Sequence, residues 1–378
     1  MSQSAVGPLK GKTIIELAGL GPAPYCGQLL ADLGAEVILI DRPHAIRLPV
    51  ENRGKKSIAI DLRKPESAEI VLKLIEDADA LIEGLRPGVT ERLGIGPEAC
   101  QARNPKLVYG RMTGWGQDGP MASMAGHDIN YLSITGALYA MGSPDQVPPP
   151  PLNLLGDFGG GSMFLALGVV SAILAASQTG KGDVVDAAIV DGVSSTMGML
   201  RSFESLGGWT TERQANMLDG AAPFYRCYET QDGQYMAVGC IEPQFFAIMI
   251  EKLNIDSAQY GDQNDRAAWA HQTQLLVDIF AGQTRDHWSA LFDDTDACIT
   301  PVLNYQEALQ HPQNSARQSH IIDRSISHPN RAPRFASTNQ YSPRLECPAV
   351  GQQTSEILES AGFSASQIKS FIQAKTVF

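Results

Sequence analysis

Residues 12–41 read KTIIELAGLGPAPYCGQLLADLGAEVILID, and this stretch decides the fold. The segment 12–17 is a short run rich in β-branched side chains, and 36–40 is apolar after its first residue. Between them, a loop over 18–24 leads into a predicted helix over 25–33. A strand, a helix and a strand within about 30 residues predict a right-handed βαβ unit.

The same alternation continues further along the chain. Strands are predicted over 57–61, 80–83 and 106–112, with helices over 66–76 and near 98–103. Apolar strands that alternate with helices are typical of a parallel sheet covered on both faces, so we predict an α/β fold with a large Rossmann-like domain. The first loop lacks the G-x-G-x-x-G pattern of dinucleotide-binding proteins and contains prolines, so a nicotinamide enzyme is not expected.

The composition is that of an acidic globular protein. The chain has 378 residues, of which 43% are apolar, and its formal net charge is −12. This charge argues against nucleic acid as a partner, and an anionic ligand would need local basic clusters. The six cysteines are scattered without a C-x-x-C pair, so no metal site is predicted.

The sequence carries no evident targeting signal. The start of the chain lacks a charged segment followed by an apolar one, and the final Thr-Val-Phe is not a peroxisomal address. The longest apolar run, about 163–177, is shorter than the roughly 20 residues that a spanning helix needs, and we interpret it as a buried core helix. We therefore expect a cytoplasmic protein without membrane contact.

The texture of the sequence changes from about residue 224. Two β-rich runs, 224–230 and 234–239, flank Gln231-Asp232-Gly233 and predict a hairpin. Further elements are predicted as helices near 245–253, 273–281 and 286–292, an extended return segment over about 310–350, and a last helix at about 355–361 that packs on the first domain. These features indicate a smaller second domain.

Three short polar clusters carry candidate chemistry. They are AGHDINY at 125–131, PLNLLGDFGGG at 151–161 and GCIEP at 239–243. Each has an ordinary interpretation: Asp157 as the N-cap of the helix that follows, His127 as a satisfied histidine, and Glu242 as a helix-start residue before proline. The glycines after Asp157 favour a ligand site, because they let backbone N–H groups approach a developing negative charge.

Basic residues occupy loops that follow the predicted strands. They are Arg42, Arg53, Lys55, Lys56, Arg86 and Arg92. On an acidic chain, cations at the ends of strands indicate a phosphate-bearing ligand. Ordinary solvated loop charge explains them equally well, so both interpretations stay open.

Longer stretches resemble one known family. The opening, LKGKTIIELAGLGPAPYCGQLLADLGAEVILIDRP, is similar to the family III coenzyme A transferases, the CaiB/BaiF superfamily. Later stretches resemble the racemases of that superfamily that act on 2-methylacyl-CoA thioesters, among them RGKKSIAIDL, TGWGQDGP, AGHDINYLSITGAL, PLNLLGDFGGGSM and GCIEPQFF. The resemblance extends from Leu9 to about Gly362.

This resemblance implies a domain organisation and an assembly. A large Rossmann-like domain is expected from both chain ends, 1–200 and 320–378, with a smaller α+β domain over 222–312 and linkers at 201–221 and 313–319. An interlocked homodimer is also implied. Its active site would lie between the large domain of one subunit and the small domain of the other.

The resemblance also assigns roles to residues. His127 and Asp157 become the two catalytic acid/base groups, and Glu242 the group that orients the histidine. Contacts to the coenzyme A part of the substrate are implied for Arg42, Ala59, Ile60, Asp61, Leu62, Arg86, Arg92, Gly126, Asp128, Ile129, Asn130, Tyr131 and Asn153. The segment 44–52 matches poorly, so no contact is assigned there. No metal and no separate cofactor is implied, because coenzyme A is part of the substrate.

These residues suit proton transfer at the weakly acidic α-carbon of a thioester. One base removes the proton from one face, and the conjugate acid of the second returns a proton to the other face. We expect N–H groups at the glycine-rich helix start after Asp157 to stabilise the enolate. The sequence does not specify the acyl group.

Two other functions remain open at this point. In a coenzyme A transferase of the same fold, Asp157 would be a nucleophile that forms an acyl anhydride. A non-catalytic acyl-CoA-binding protein would keep the basic loops and could lose the acid/base set. His127 and Glu242 favour the racemase, because a nucleophilic aspartate has no evident need of them.

Overall fold

The computed structural model describes residues 6–338 and 341–378, which fold into two compact units. The first unit comprises 1–135, 151–196 and 318–378, and the second comprises 136–150 and 197–317. The segment 136–150, which we had assigned to the large domain, therefore groups with the second unit. The Arg213 guanidinium holds this segment there by donating hydrogen bonds to the carbonyl oxygens of Met141 and Gln146.

The elements alternate in the first unit as the sequence predicts. The strands are β1 (Thr13–Leu17), β2 (Glu36–Asp41), β3 (Lys56–Ala59), β4 (Ala80–Glu83), β5 (Val108–Thr113), β6 (Val184–Ala188), β7 (Tyr225–Glu229), β8 (Tyr235–Gly239), β9 (Ile299–Val302), β10 (His320–Asp323) and β11 (Ile326–Pro329). The α-helices are α1 (Pro22–Asp32), α2 (Ser67–Leu74), α3 (Val89–Arg92), α4 (Pro97–Arg103), α5 (Asp128–Thr135), α6 (Met163–Thr179), α7 (Ile189–Thr196), α8 (Gly198–Ser205), α9 (Pro243–Lys252), α10 (Ser257–Tyr260), α11 (Trp269–Phe280), α12 (Arg285–Phe292), α13 (Tyr305–Gln310), α14 (Pro312–Ala316), α15 (Thr354–Ser360) and α16 (Ala365–Gln373).

A six-stranded parallel sheet forms the centre of the first unit, in the order β3-β2-β1-β4-β5-β6. The predicted α/β class and the opening βαβ unit are confirmed. We did not predict β6, because Asp186 interrupts its apolar run and its first three residues are not buried. It closes one edge of the sheet, where burial on both faces is not required.

The core of the first unit lies on both faces of this sheet. Strands β2 and β4 are buried along almost their whole length, which explains their continuous apolar sequences. The end of the chain returns to the same core: Ile357 and Ile368 pack with Ile58, and Val377 forms an antiparallel bridge with Ile60. This return of the last helices agrees with our prediction for residues after about 355.

One helical segment is longer than the sequence pattern predicts. A π-helix, Leu154–Ser162, continues directly into α6, and together they span 26 residues, long and apolar enough by length and composition to cross a membrane. Only 33% of the most apolar window is buried, so our interpretation as a buried core helix holds for one face alone. Leu165 and Val169 are buried, whereas Leu167 and Leu174 are more than half exposed.

The second unit is built on an antiparallel sheet in the order β7-β8-β9. The predicted hairpin is present, and Gly233 takes the φ of 70° that its turn requires. Aromatic packing forms the core: Tyr228 stacks on Phe280 with 5.1 Å between ring centroids, and Trp288 contacts Phe280 edge-on at 5.3 Å. Helices α9, α11 and α12 occupy the predicted helical stretches.

Candidate active site

A cavity of about 350 Å³ opens at the carboxyl edge of the parallel sheet. The loops after β1, β4 and β5, the residues before α5 and the π-helix all contribute to its lining. His127 and Asp157 both line it, together with Leu20, Arg86 and Trp115. The tertiary structure therefore brings the two predicted acid/base groups to one cavity.

The position of the cavity follows from the order of the strands. Strand β1 pairs with β2 on one side and with β4 on the other. The loops that follow β1 and β4 therefore diverge from the middle of the sheet, and open parallel sheets bind ligands at such a switch point. Gly19 from the first loop and Gly84 from the second both face the cavity.

Asp157 is held by the carboxylate of Asp128. The Asp157 N–H donates to Asp128 Oδ2 at 2.7 Å, and the Gly156 N–H also binds that carboxylate. A Cβ on Gly156 would lie 2.3 Å from Asp128 Oδ2, so only glycine allows this close approach. Asp157 itself lies inside the π-helix, which begins after Asn153, so the N-cap interpretation of Asp157 is wrong.

The surroundings of Asp157 favour its protonated form. Burial raises the pKa of its carboxyl from 3.8 to about 6, the negative charge of Asp128 raises it further, and His127 opposes both effects. Burial also raises the pKa of Asp128, while the N–H groups of Asp157 and Gly156 lower it. A carboxyl with a pKa of about 6 can both release and accept a proton near neutral pH.

The charge of Asp128 predicts a pH effect. In Asp128→Asn, the side chain can still accept an N–H bond but the neighbouring negative charge is gone. The pKa of Asp157 should fall, because a like charge favours the protonated form and its removal favours ionisation. The acidic limb of the proton exchange that Asp157 catalyses should move to lower pH, as measured by exchange rates between pH 4 and 8. Asp191→Asn, at an exposed position of α7, is the matched control, and an unchanged or raised limb in Asp128→Asn would contradict this role.

His127 stands at the start of α5 on a fixed backbone. Its N–H donates to Asn130 Oδ1 at 3.0 Å, and its carbonyl accepts from the N–H groups of Asn130 and Tyr131. The Tyr131 hydroxyl donates to the Gly126 carbonyl, and its ring contacts Trp115 edge-on at 4.7 Å between centroids. The imidazole itself is exposed to the cavity.

Glu242 lies in the second unit. It precedes α9, with Pro243 at the first helical position, and its side chain is exposed. It does not line the cavity of the first unit among the described residues. Its bond to His127 therefore stays a prediction.

The glycine amides after Asp157 are not available to an enolate. In a π-helix each N–H donates to the carbonyl five residues earlier, as from Phe158 to Asn153 at 3.2 Å. The N–H groups of Gly159 and the following glycines are used in the same ladder. Our expectation that they stabilise the enolate is therefore wrong. In the part of the chain that the structure describes, the N–H groups of Asp128 and Ile129 at the start of α5 have no acceptor.

Three of the predicted basic residues have structural partners. Arg53 is fully buried and pairs with Asp32, and Lys55 is fully buried and pairs with Glu16. Lys56 pairs with Glu36 and also with Glu356. Neither the phosphate interpretation nor solvated loop charge is right for Arg53 and Lys55, because buried cations need a close counter-charge.

Arg42, Arg86 and Arg92 differ from these residues. They follow β2, follow β4 and end α3, respectively, and all three are exposed. Across residues 6–338 and 341–378, none of the three forms an ion pair. Their charges are therefore available to an anionic ligand, and Arg86 lines the cavity directly.

The remaining predicted contacts divide into two groups. Gly126 and Tyr131 line the cavity. The others lie outside its lining: Ala59, Ile60, Asp61, Leu62, Asp128, Ile129, Asn130 and Asn153. The Asp61 carboxylate is bound by Arg63, and the Ala59 backbone bonds to Thr354 and Phe378. Their contacts with coenzyme A stay predictions.

Two functional contributions were not apparent in the sequence. Asp128 was assigned as a substrate contact, but its carboxylate holds the backbone of Asp157. Trp115, in the predicted loop GWGQDGP, lines the cavity beside Tyr131. Gly114 indicates this arrangement, because a Cβ there would lie 1.9 Å from the Tyr131 ring.

Comparison with known proteins places this fold and cavity in one family. The model of CoA-transferase family III matches residues 9–354. The chain is 42% identical to the alpha-methylacyl-CoA racemases of Mus musculus, over 361 residues, and Homo sapiens, over 364 residues, with 95% of each chain covered in both cases. Its structure is similar to that of a CAIB/BAIF family protein from Brucella suis, with a TM-score of 0.81 and 26% identity over 94% of this chain and 99% of that one. The chain belongs to CoA-transferase family III.

Proposed function

We propose that this chain is a racemase that interconverts the (2R) and (2S) forms of 2-methylacyl-CoA thioesters by two-base proton transfer. The observation that carries the proposal is the presence of His127 and Asp157 on one cavity, with the pKa of Asp157 raised to about 6. Similarity to the alpha-methylacyl-CoA racemases supports the substrate class.

The two bases act in opposite protonation states. For one epimer, the Asp157 carboxylate removes the α-proton and the electron pair of the C–H bond moves into an enolate. The protonated His127 then delivers its proton to the opposite face, and the carbonyl re-forms. For the other epimer the neutral imidazole is the base and the protonated Asp157 is the acid. The raised pKa of Asp157 keeps both forms accessible near neutral pH.

The enolate and the histidine each need a supporting group. The free N–H groups of Asp128 and Ile129 lie at the N-terminus of α5, where the helix dipole also favours negative charge, and we assign them to the enolate oxygen. Glu242, supplied by a small domain, would bind one imidazole nitrogen of His127 and fix its tautomer. Coenzyme A is part of the substrate and leaves with the product.

The unpaired arginines are the proposed contacts for the phosphate groups of coenzyme A. Arg42, Arg86 and Arg92 lie at the carboxyl edge of the sheet without a carboxylate partner in the described chain. Guanidinium groups bind phosphate through charge-assisted hydrogen bonds. The acidic chain thus concentrates free positive charge where the ligand is expected.

Arg86→Ala tests this assignment. We expect KM for an acyl-CoA to rise about tenfold, because a partly exposed charge-assisted bond contributes about 1.5 kcal/mol. The value of kcat should change little, since Arg86 does not transfer protons. Arg63→Ala is the matched control, because Arg63 is exposed and already paired with Asp61. Equal effects of the two substitutions in steady-state kinetics would argue against the assignment of Arg86.

We also propose a homodimer. Helix α6 exposes Met163, Leu167 and Leu174 along one side, each at least half accessible. Aligned exposed apolar side chains commonly mark an association surface. Sedimentation velocity should give twice the chain mass of 40.6 kDa, and a mass of one chain at micromolar concentration would rule the dimer out.

Proton NMR in deuterated water tests the proposed function. Each epimer of 2-methyloctanoyl-CoA is incubated with the protein, and the α-proton signal and the epimer ratio are followed together. A racemase should exchange the α-proton of both epimers and bring both samples to the same mixture.

The rival functions give different results in the same experiment. No exchange with either epimer, but acyl transfer when a free carboxylic acid is added, would make Asp157 a nucleophile and the protein a transferase. Tight thioester binding without exchange or transfer would indicate a non-catalytic binding protein.

A further inference from the structure

The helix that carries Asp157 has an unusual register. Residues Leu154–Ser162 form a π-helix, whereas α6, which continues it without a break, is α-helical. π-helical turns are rare, and they persist where the surrounding structure holds them. The change of register occurs beside the cavity, so the position of Asp157 depends on it.

Two neighbouring helices hold this register from the outside. On the α5 side, Asp128 binds the N–H groups of Gly156 and Asp157. On the α7 side, a Cβ on Gly192 would lie 1.9 Å from the Gly160 carbonyl oxygen, so the two backbones are in direct contact. Glycine at both positions makes this contact possible.

The third constraint is the Ser162 hydroxyl at the end of the π-helix. Ser162 is fully buried, and its Oγ lies 2.7 Å from the carbonyl oxygen of Pro22 and 3.1 Å from that of Asp157. Pro22 begins α1 and lines the cavity. One hydroxyl therefore connects the cavity wall to the helix that carries Asp157.

We propose that the π-helical register aims the Asp157 carboxylate into the cavity, and that Ser162 is a positioning residue that maintains this register through Pro22. The inference rests on the proposed racemase function. In an α-helical register, the carbonyl of Asp157 would pair one residue earlier. Relative to α6, the Asp157 side chain would turn by roughly 100° around the helix axis, away from its observed direction.

Ser162→Ala tests the inference by separating the two faces of the substrate. Exchange of the α-proton is measured in deuterated water with each epimer of 2-methyloctanoyl-CoA. Misplacement of a catalytic group by about 1 Å can cost about 10²-fold, so kcat for the epimer served by Asp157 should fall by about 30- to 100-fold. The epimer served by His127 should lose less than threefold, and KM should stay within twofold for both.

The pH profile provides a second readout. A carboxylate that turns away from Asp128 becomes better hydrated, so the acidic limb of Asp157-dependent exchange should move to lower pH in Ser162→Ala. Ser171→Ala, at an exposed position of α6, is the control and should leave both faces and the pH limb unchanged. A purely structural role would lower the melting temperature and leave the ratio of the two exchange rates unaltered.

A second variant protects the test against misfolding. Ser162→Cys keeps the size of the side chain but replaces the hydroxyl with a weak donor, so the same one-sided loss is expected at a smaller magnitude. Equal losses at both faces, or no loss in either variant, would overturn the inference while the proposed function stands. Absence of exchange in the unaltered protein would overturn both.

Discussion

Replacing Asp157 with asparagine is expected to slow racemisation by about 10³-fold, which is within the usual contribution of a positioned acid/base group. Asparagine has the size of aspartate and keeps the backbone N–H bond to Asp128 Oδ2, so the π-helix should be preserved. Its amide cannot remove the α-proton, and inversion needs both bases. Chiral analysis of the acyl-CoA gives the rate, and calorimetric titration should give an affinity within threefold of the unaltered protein.

The same variant should separate the two half-reactions. In Asp157→Asn, His127 should still exchange the α-proton of one epimer with solvent, without inversion. Asp191→Asn, at an exposed site on the neighbouring helix α7, should leave both processes unchanged. Racemisation at more than a tenth of the original rate in Asp157→Asn would remove Asp157 from the mechanism.

Asp157→Asn should also make the protein more stable at neutral and alkaline pH. The native state raises the pKa of Asp157 from 3.8 to about 6, so folding favours the protonated carboxyl. This stabilisation is complete below about pH 3.8 and is lost as the pH rises through about 6. A permanently neutral amide keeps it, so the melting temperature of the variant at pH 8 should exceed that of the unaltered protein. At pH 3.5 the two should differ little.

The second large effect is expected for His127→Ala. Racemisation should again fall by about 10³-fold, because the proton for the opposite face has no donor. Asp157 should still exchange the α-proton of the other epimer, the reverse of the pattern in Asp157→Asn. His271→Ala, at an exposed position of α11, is the matched control.

The His127 variant also distinguishes the two mechanisms of the family. A transferase that uses Asp157 as a nucleophile would lose little activity on His127→Ala. If racemisation falls but acyl transfer to an added carboxylic acid rises above that of the unaltered protein, the two mechanisms share the cavity and His127 selects between them. If neither activity changes, His127 has no catalytic role.

Local sequence pattern was sufficient for the frame of the first unit. The apolar runs at 36–40 and 80–83 became β2 and β4, because a parallel strand buried on both faces has to be apolar throughout. Edge strand β6 escaped prediction because its burial is incomplete and Asp186 interrupts it. Periodicity thus identifies an element when burial is complete and loses it at the edge.

The candidate bases were visible in the sequence, but their environment was not. Short motifs indicated His127 and Asp157, and the cavity contains both. The carboxylate of Asp128 was assigned to the substrate, and the glycine amides to the enolate. In the structure that carboxylate binds the Asp157 N–H, and those amides close the π-helix. Hydrogen-bond partners are chosen by three-dimensional distance, which a linear pattern does not contain.

The basic loop residues illustrate the same limit. Arg42 and Lys55 look alike in the sequence, each following or preceding a short strand on an acidic chain. Lys55 is fully buried against Glu16, while Arg42 is exposed and unpaired in the described chain. The sequence determined the order of strands and helices, and with it the edge of the sheet where ligands bind. Only the tertiary structure decided which charges are neutralised in the core and which stay free for a ligand, because the cost of burying a charge depends on partners that packing brings from elsewhere in the chain.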